Sequence, residues 1–388
     1  MKIVYDISSA QPQGSIITNG GGEYSIVILE SLLKQNNGKQ IDVLIDANKG
    51  TSKKIQELIE RYSLIEKKYT SEKEMAEILN TYDKIVFPIF YPTYSNLNIN
   101  KDKKIIGLIH DLSSFYGVYL TNNKYEFIAQ DGFDWMRYIY KKLTAKKLMN
   151  ATLTQHKRLF TLTDNTNIYT VSNFSKSALE YFMPECNVKD VFYSPNRELT
   201  KMSNGSTNEK YFLLVNSSRW AKNNIRVVMI FDKLFSDDRY KNRFRDYKVI
   251  LTGCNESVRK FLNSKLKNKS RFDLKSFVSD EELASLYKNT YLFLYPSILE
   301  GFGYPPIEAM KYGTLCACST STSIPEVCGD AAIYFDPYDD DAIIMAIFRS
   351  FNQTIRDEKV VKIKQRVVEI TQRQENDTNR LISIILDK

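Results

Sequence analysis

The chain of 388 residues, 43% of them hydrophobic, is globular in composition and too long for one ordinary core, so two domains are expected. Its formal charge of +8, from 54 basic and 46 acidic residues spread along the chain, suits nucleotide phosphates or a membrane surface, while the lack of any dense basic tract argues against nucleic acid. Two histidines exclude a histidine-rich metal site, and five cysteines without framework spacing exclude a disulfide scaffold.

The chain opens directly in a strand at residues 2–6, with no apolar leader segment, and no window reaches the length of a transmembrane helix. Cys316 and Cys318 alternate as in a small buried strand, so the cysteines read as reduced, packed thiols of a cytosolic protein. A polar loop then ends in Asn19-Gly20-Gly21-Gly22-Glu23-Tyr24, and Ser25 to Gln35 carries Ile26, Leu29, Leu32 and Leu33 at helical spacing. This strand, glycine loop and helix lack the full Gly-x-Gly-x-x-Gly fingerprint, which weakens a dehydrogenase reading; the glycines also fit a plain flexible turn.

Strands recur at 41–45, 84–87 and 104–110 with helical patterns between them, the alternation of a parallel doubly wound sheet. His110 stands at the C-terminal end of the third, where such sheets bind ligands, although a histidine satisfied by Asp111 fits the residues equally well. Residues 113–135 form a long Tyr- and Asn-rich stretch, assigned to acceptor binding because loops of that length within a domain are often functional. Trp135 to Met149 follows as a basic amphipathic helix. Its lysines 141, 142, 146 and 147 fit either a solvated face or contact with an anionic membrane. Residues 168–171 form a strand leading into Ser172-Asn173, a helix cap, and 190–194 close the first domain. Asn196 to Asn208 is the linker candidate.

The second half restarts with strand 211–215, then Asn216-Ser217-Ser218-Arg219-Trp220-Ala221-Lys222 entering a helix at Ile225. If the first helical turn begins there, Arg219 and Lys222 face one way; two cations at a helix N-terminus oppose its dipole unless an anion joins them. Strands 248–252 and 273–277 and a helix capped at Ser279 or Asp280 precede the most informative stretch. There, strand 291–295 runs into Glu300-Gly301-Phe302-Gly303-Tyr304-Pro305-Pro306-Ile307-Glu308. Strand, glycine turn and helix deliver backbone N–H groups and a positive dipole end to the edge of a sheet, with Pro305 and Pro306 in the first helical turn and Gly313 after the last. A packing junction between strand and helix is the plain alternative.

The Glu-x7-Glu spacing resembles the signature of retaining, nucleotide-sugar-dependent glycosyltransferases of family 4. The resemblance continues through Ile324-Pro325-Glu326-Val327-Cys328-Gly329-Asp330-Ala331-Ala332 and Phe335-Asp336-Pro337. It covers nearly the whole chain, strongly over 211–337 and more thinly over 1–195. It implies the GT-B fold: two Rossmann-like, doubly wound α/β domains facing a deep cleft. Residues 1–200 would form the acceptor-binding domain, 201–370 the nucleotide-sugar domain, and 371–388 a C-terminal helix crossing back to the first.

The same resemblance implies roles. Arg219 and Lys222 clamp the diphosphate, His110 and Glu300 face the donor sugar, and Glu308 takes the ribose. Gly20, Gly21 and Gly22, with Ser172 and Asn173, lie near the donor phosphates and the acceptor. Phe277 and Val278 hold the base largely through backbone, and Gly301, Phe302, Gly303 and Tyr304 form the donor turn. The glycine-rich form is most like O-antigen and capsule enzymes using GDP-mannose, with dTDP-rhamnose or UDP-sugar users close behind. Tyr304, where many relatives are aliphatic, and Lys311-Tyr312, where Ala-Cys is common, depart from the pattern.

No Asp-x-Asp stands at a strand end; Asp339-Asp340-Asp341 reads as a helix cap, so no metal or other cofactor is expected. The expected partners are a nucleotide-sugar and a glycan or lipid-linked oligosaccharide, and no nucleic acid; peripheral contact at the cytoplasmic face of the membrane is the further option that the basic helix leaves open beside a solvated face. A hydrolase with paired carboxylates would need both beside one anomeric carbon, which eight positions along a strand, turn and helix do not provide. In the resembled family the leaving phosphate itself accepts the acceptor proton from the front face. An epimerase or phosphorylase on the same scaffold, or a nucleic-acid binder, are the readings from other classes.

Overall fold

The computed structural model describes residues 1–12, 20–112, 135–196 and 210–388. The acceptor assignment for residues 113–134 and most of the linker candidate fall outside them. Two parallel sheets organise the rest. The first contains β1 (Lys2–Asp6), β2 (Gln40–Asp46), β3 (Glu66–Tyr69), β4 (Lys84–Phe87), β5 (Lys104–Ile109), β6 (Asn165–Thr170) and β7 (Val188–Val191), in the order β3-β2-β1-β4-β5-β6-β7. Helices α1 (Gly20–Lys34), α2 (Lys53–Tyr62), α3 (Glu72–Leu79), α4 (Trp135–Phe160) and α5 (Asn173–Phe182) alternate with these strands. Strands buried on both faces read as apolar runs, as Ile3-Val4-Tyr5 and Ile105-Ile106 do, all fully buried.

The second sheet contains β8 (Lys210–Leu214), β9 (Tyr247–Leu251), β10 (Phe272–Leu274), β11 (Leu292–Tyr295), β12 (Cys316–Ser319) and β13 (Ile333–Phe335), in the order β10-β9-β8-β11-β12-β13. Its helices are α6 (Asn224–Ser236), α7 (Glu256–Lys265), α8 (Asp280–Asn289), α9 (Tyr304–Lys311), α10 (Ile324–Cys328) and α11 (Asp340–Arg349). Its core is aromatic: Phe212 packs against Phe231 with ring centroids 4.6 Å apart and stacks on Tyr247 at 5.2 Å. All five cysteines are buried and none forms a disulfide.

The last helix, α12 (Gln353–Leu386), is one continuous element of 34 residues, and the division between the two compact units falls within it, after Ile370. Before that point Arg366 caps the end of α10, donating from Nε to Val327 O at 2.9 Å and from Nη2 to Glu326 O at 2.6 Å. After it, buried Asp377 accepts the Tyr193 N–H at 3.0 Å, and Gln374 Nε2 donates to Ser194 O. Buried Lys84 from β4 donates to Ile385 O at 2.7 Å and pairs with Asp387 at 2.8 Å. A cation on the last carbonyls of a helix complements its dipole. No helix among the described residues is long and apolar enough to cross a membrane.

Candidate active site

In the second unit the loops leaving the C-terminal strand ends are tied to one another. Asn216, after β8, adopts a left-handed backbone with φ 59°, and Gly253, after β9, has φ 69°. A Cβ on Gly253 would lie 3.1 Å from Asn216 Cα, so only glycine lets these two backbones approach. Ser217 N donates to Thr252 O at 2.9 Å, Ser218 N to Gly253 O at 2.9 Å, and Gly253 N to Ser276 O at 2.6 Å.

Arg219 and Lys222 do not enter the helix together. Trp220–Lys222 is a separate 3-10 turn, Asn223 reverses the chain with φ 55°, and α6 starts only at Asn224. The consequence is divergence: Lys222 is buried and Arg219 exposed. Ile298 N and Ser297 Oγ both donate to Ala221 O, at 2.8 and 3.1 Å, which ties this turn to the loop after β11.

That tie brings Lys222 to Glu300. Lys222 Nζ donates to Glu300 Oε1 at 2.5 Å and to Tyr295 OH at 2.7 Å, and lies 4.8 Å from the Tyr295 ring centroid. Ser297 Oγ also donates to Glu300 Oε1. Burial alone would raise the Glu300 pKa; the Lys222 and Arg219 charges and the hydrogen bonds from Lys222 and Ser297 outweigh it, so the carboxyl is held below its ordinary range. Burial pulls Lys222 down against the Glu300 charge that supports it, with Arg219 pulling the same way as burial. The site is a carboxylate paired with one buried cation, Lys222, and also under the charge of exposed Arg219.

Gly303, with φ 98°, turns the chain into α9, whose first turn carries Pro305 and Pro306. Gly301, Phe302 and Gly303 are buried and Tyr304 is half-buried. Glu308 is 5% exposed, accepts from Tyr287 OH at 3.3 Å, and its charge acts on Lys222. At the helix end Gly313, with φ 75°, donates its N–H to Met310 O at 2.9 Å. Phe277, past the end of β10, is 76% exposed, with Val278 half-buried beside it. Strand β10 ends at Leu274, so Phe277 belongs to the turn and not to the strand expected over 273–277. Asp339 caps α11, accepting from Asp341 N at 2.9 Å and Ala342 N at 3.3 Å.

The first unit carries its own cluster. Gly20, Gly21 and Gly22 form the opening turn of α1 rather than a loop, because the helix starts five residues before Ser25. Tyr24 then sets its ring edge-on to His110, with centroids 4.5 Å apart. His110 Nε2 lies 2.8 Å from Pro88 O, not on Asp111. A carbonyl only accepts, so Nε2 carries the proton and Nδ1 keeps a lone pair. Burial pushes His110 down to about 4, against the Pro88 carbonyl and the Asp111 charge, so the ring is neutral at pH 7. The carbonyl is placed by packing: the Phe90 ring fills the space where a Cβ on Gly107 would lie, 2.2 Å from Phe90 Cδ1, and Phe90 N donates to Leu108 O at 2.8 Å. Ser172 caps α5, accepting from Ser175 N at 3.1 Å, with Asn173 as the first helical residue, and Ser175 Oγ donates to His110 O at 3.2 Å.

Tyr295, Ser297, Tyr287, Tyr24 and Ser175 were not singled out in the sequence. Tyr295 sits in an apolar strand run where nothing separates a core tyrosine from a ligand's neighbour. For Ser297, the signal available was a hydroxyl directly after the strand.

Residues 196–367 match the family model described as glycosyl transferases group 1. An "O-antigen chain mannosyltransferase B" of Escherichia coli is 50% identical over 74 residues, 19% of this chain and 19% of that protein. The "O-antigen chain mannosyltransferase RfbU" of Salmonella typhimurium is 34% identical over 135 residues, 34% of this chain and 36% of that protein. The matches therefore span well under half the length of these curated relatives. Among solved structures, Anabaena Alr3699/HepE in complex with UDP-glucose aligns over 100% of this chain and 97% of that one, with a TM-score of 0.64 and 12% identity. The two Rossmann-like parallel-sheet units make this an α/β chain with glycosyltransferases of the GT-B fold as its structural neighbours.

Proposed function

We propose that this protein is a retaining glycosyltransferase that moves mannose from GDP-mannose to a glycan or lipid-linked glycan acceptor in O-antigen or capsule synthesis. The observation that carries the reading is the Glu300 carboxylate paired with buried Lys222, under the charge of Arg219, in the turn that leads into α9. The mannosyltransferase names of the partial relatives support the sugar.

Breaking the bond between sugar and diphosphate builds negative charge on the leaving phosphate and positive charge at the anomeric carbon. Arg219, exposed and near Glu300, meets the first together with the backbone N–H groups of the Gly301–Gly303 turn. Lys222, bonded to Tyr295 and Glu300, adds its charge toward the same phosphate. Glu300 accepts from sugar hydroxyls and offsets charge at the ring. The neutral His110, with its lone pair on Nδ1, accepts from a further sugar hydroxyl. The leaving phosphate takes the acceptor proton on the front face, so no side-chain nucleophile is needed. The chain supplies the positive charge itself and requires no metal.

A UDP-sugar or dTDP-rhamnose donor is the second reading, favoured by the UDP-glucose complex of the Anabaena neighbour. A thermal-shift panel of GDP-, UDP- and dTDP-sugars separates these, since a ligand at 100 times its dissociation constant adds about 2.7 kcal/mol. GDP-mannose should give the largest shift. A larger shift from a UDP- or dTDP-sugar replaces the donor, and no shift from any sinks the reading. Product analysis with and without acceptor separates transfer from epimerisation or phosphorolysis.

A further inference from the structure

The turn that carries Glu300 is gripped from one side by a segment with no role in the mechanism above. Ser319-Thr320-Ser321-Thr322-Ser323 is an unbroken run of hydroxyls joining β12 to α10. Three of them reach the loop after β11. Ser319 Oγ donates to Ser297 O. Thr322 Oγ1 accepts the Glu300 N–H at 3.1 Å. Ser323 Oγ donates to Glu300 O at 3.1 Å and to Phe302 O at 2.9 Å. The peptide groups on both sides of the Glu300 Cα are thus fixed from the same segment.

Two features go beyond satisfying a buried turn. Thr322 has φ 55°, a left-handed backbone that a β-branched residue rarely adopts. Glycine or asparagine would take that conformation without strain, but glycine would bring no hydroxyl to Glu300. Ser323 stands at the N-cap of α10, where a serine hydroxyl ordinarily accepts a helix N–H, yet it makes no cap bond. Its hydroxyl goes to Glu300 and Phe302 instead. Backbone strain that persists beside a ligand-facing turn is held there by its surroundings and points to a constraint on geometry.

We propose that Thr322 and Ser323 are positioning residues that fix where the Glu300 carboxylate sits against Lys222 and the donor sugar. This rests on Glu300 as the sugar contact. The carboxylate hangs two carbons from the Cα these hydroxyls hold, so a small shift of the turn moves it off the transition state. A misplacement of about 1 Å can cost on the order of 100-fold in rate. The nucleoside diphosphate lacks the transferable sugar and should not sense the change.

The test compares Thr322→Val, Thr322→Ser and Ser323→Ala with Glu300→Gln, each assayed with GDP-mannose, UDP-glucose and dTDP-rhamnose. Diphosphate affinity is measured by calorimetry with free GDP, UDP and dTDP, and folding by Tm. Thr322→Val and Ser323→Ala should lower kcat roughly 10- to 100-fold while KM and diphosphate affinity stay within about twofold. Thr322→Ser, which keeps the hydroxyl, should restore turnover. Wild-type kcat in Thr322→Val, or a loss in Thr322→Ser as large as in Thr322→Val, overturns the proposal. If Thr322→Val does not fold, wild-type kcat in Ser323→Ala overturns it alone. Loss in Glu300→Gln with full activity in both hydroxyl variants sinks only the positioning role. Full activity in Glu300→Gln sinks the Glu300 reading and this proposal with it.

Discussion

Lys222 Nζ donates to Glu300 Oε1 at 2.5 Å, and both side chains are largely buried, 4% and 12% exposed. A change at either member of a pair so placed also acts on the other. Removing the lysine leaves a carboxylate with Arg219 as its remaining cation, and breaking a buried pair from one side typically costs about 3–5 kcal/mol. Lys222→Ala should therefore melt well below wild type. Lys222→Ala/Glu300→Gln should melt above Lys222→Ala, because the second change removes the stranded charge. A double variant that melts lower still would mean the two residues stabilise the fold independently.

Exposed Arg219 gives the cleaner view of phosphate stabilisation, since its loss strands no buried partner. Arg219→Ala should fold normally and lose roughly 100-fold in turnover, the usual effect of removing one charge-stabilising donor. Normal turnover in that variant would remove Arg219 from the clamp.

Both histidines are shifted the same way, which makes the acid response of the fold testable. Burial pushes His110 down to about 4, and burial also lowers His156. Between about pH 6.5 and pH 4 the unfolded chain then binds more protons than the folded one. Their contribution to stability is complete above about pH 6.5 and lost as pH falls through the folded values. Buried Asp6 acts in the opposite sense, because burial raises its carboxyl. The histidine part is isolated by comparing wild type with His110→Gln/His156→Gln, in which the fall in Tm from pH 6.5 to 4.5 should be smaller. An equal fall in both would contradict the neutral, buried assignment.

Most of the parallel strands were legible in the sequence as apolar runs, and the turn from Glu300 to Glu308 because glycine and proline mark its chain reversal. Strand β3, Glu66-Lys67-Lys68-Tyr69, was not, since an edge strand with charged residues has no apolar period to read. The start of α1 was misjudged because three glycines are poor helix formers. Tertiary contact overrides that preference, with Tyr24 packed on His110 and Ser25 bonded to Ser9 and Gly21. Arg219 and Lys222 were read as a pair awaiting an anionic ligand, whereas the structure gives buried Lys222 a partner within the chain. The identity of that partner, a glutamate 78 positions away, had no local signal.

The proposed metal independence rests on the acidic run being engaged elsewhere. Asp339 is engaged as the cap of α11 and Asp340 pairs with Arg226 at 2.8 Å. Activity should survive EDTA. Abolition by EDTA with rescue by Mn²⁺ would overturn the proposal.

The sharpest prediction separates three residues by the part of the donor they meet. Glu308 of α9, which accepts from Tyr287 OH of α8, is assigned to the ribose, which does not react. Glu308→Gln should chiefly raise KM and weaken free GDP binding. Glu300 and His110 are assigned to the sugar, whose ring flattens as charge develops, so contacts there strengthen in the transition state. Glu300→Gln and His110→Ala should cut kcat more than KM. The pairing with Lys222 adds a sign for the diphosphate: replacing the carboxylate by an amide leaves the ammonium less neutralised, so GDP should bind Glu300→Gln as well as wild type or better. His110→Ala should leave GDP affinity unchanged. Steady-state kinetics of the three variants and calorimetric titration with GDP give the answer. Loss of GDP binding in Glu300→Gln and His110→Ala, with normal binding in Glu308→Gln, would mean that the donor lies in the opposite orientation.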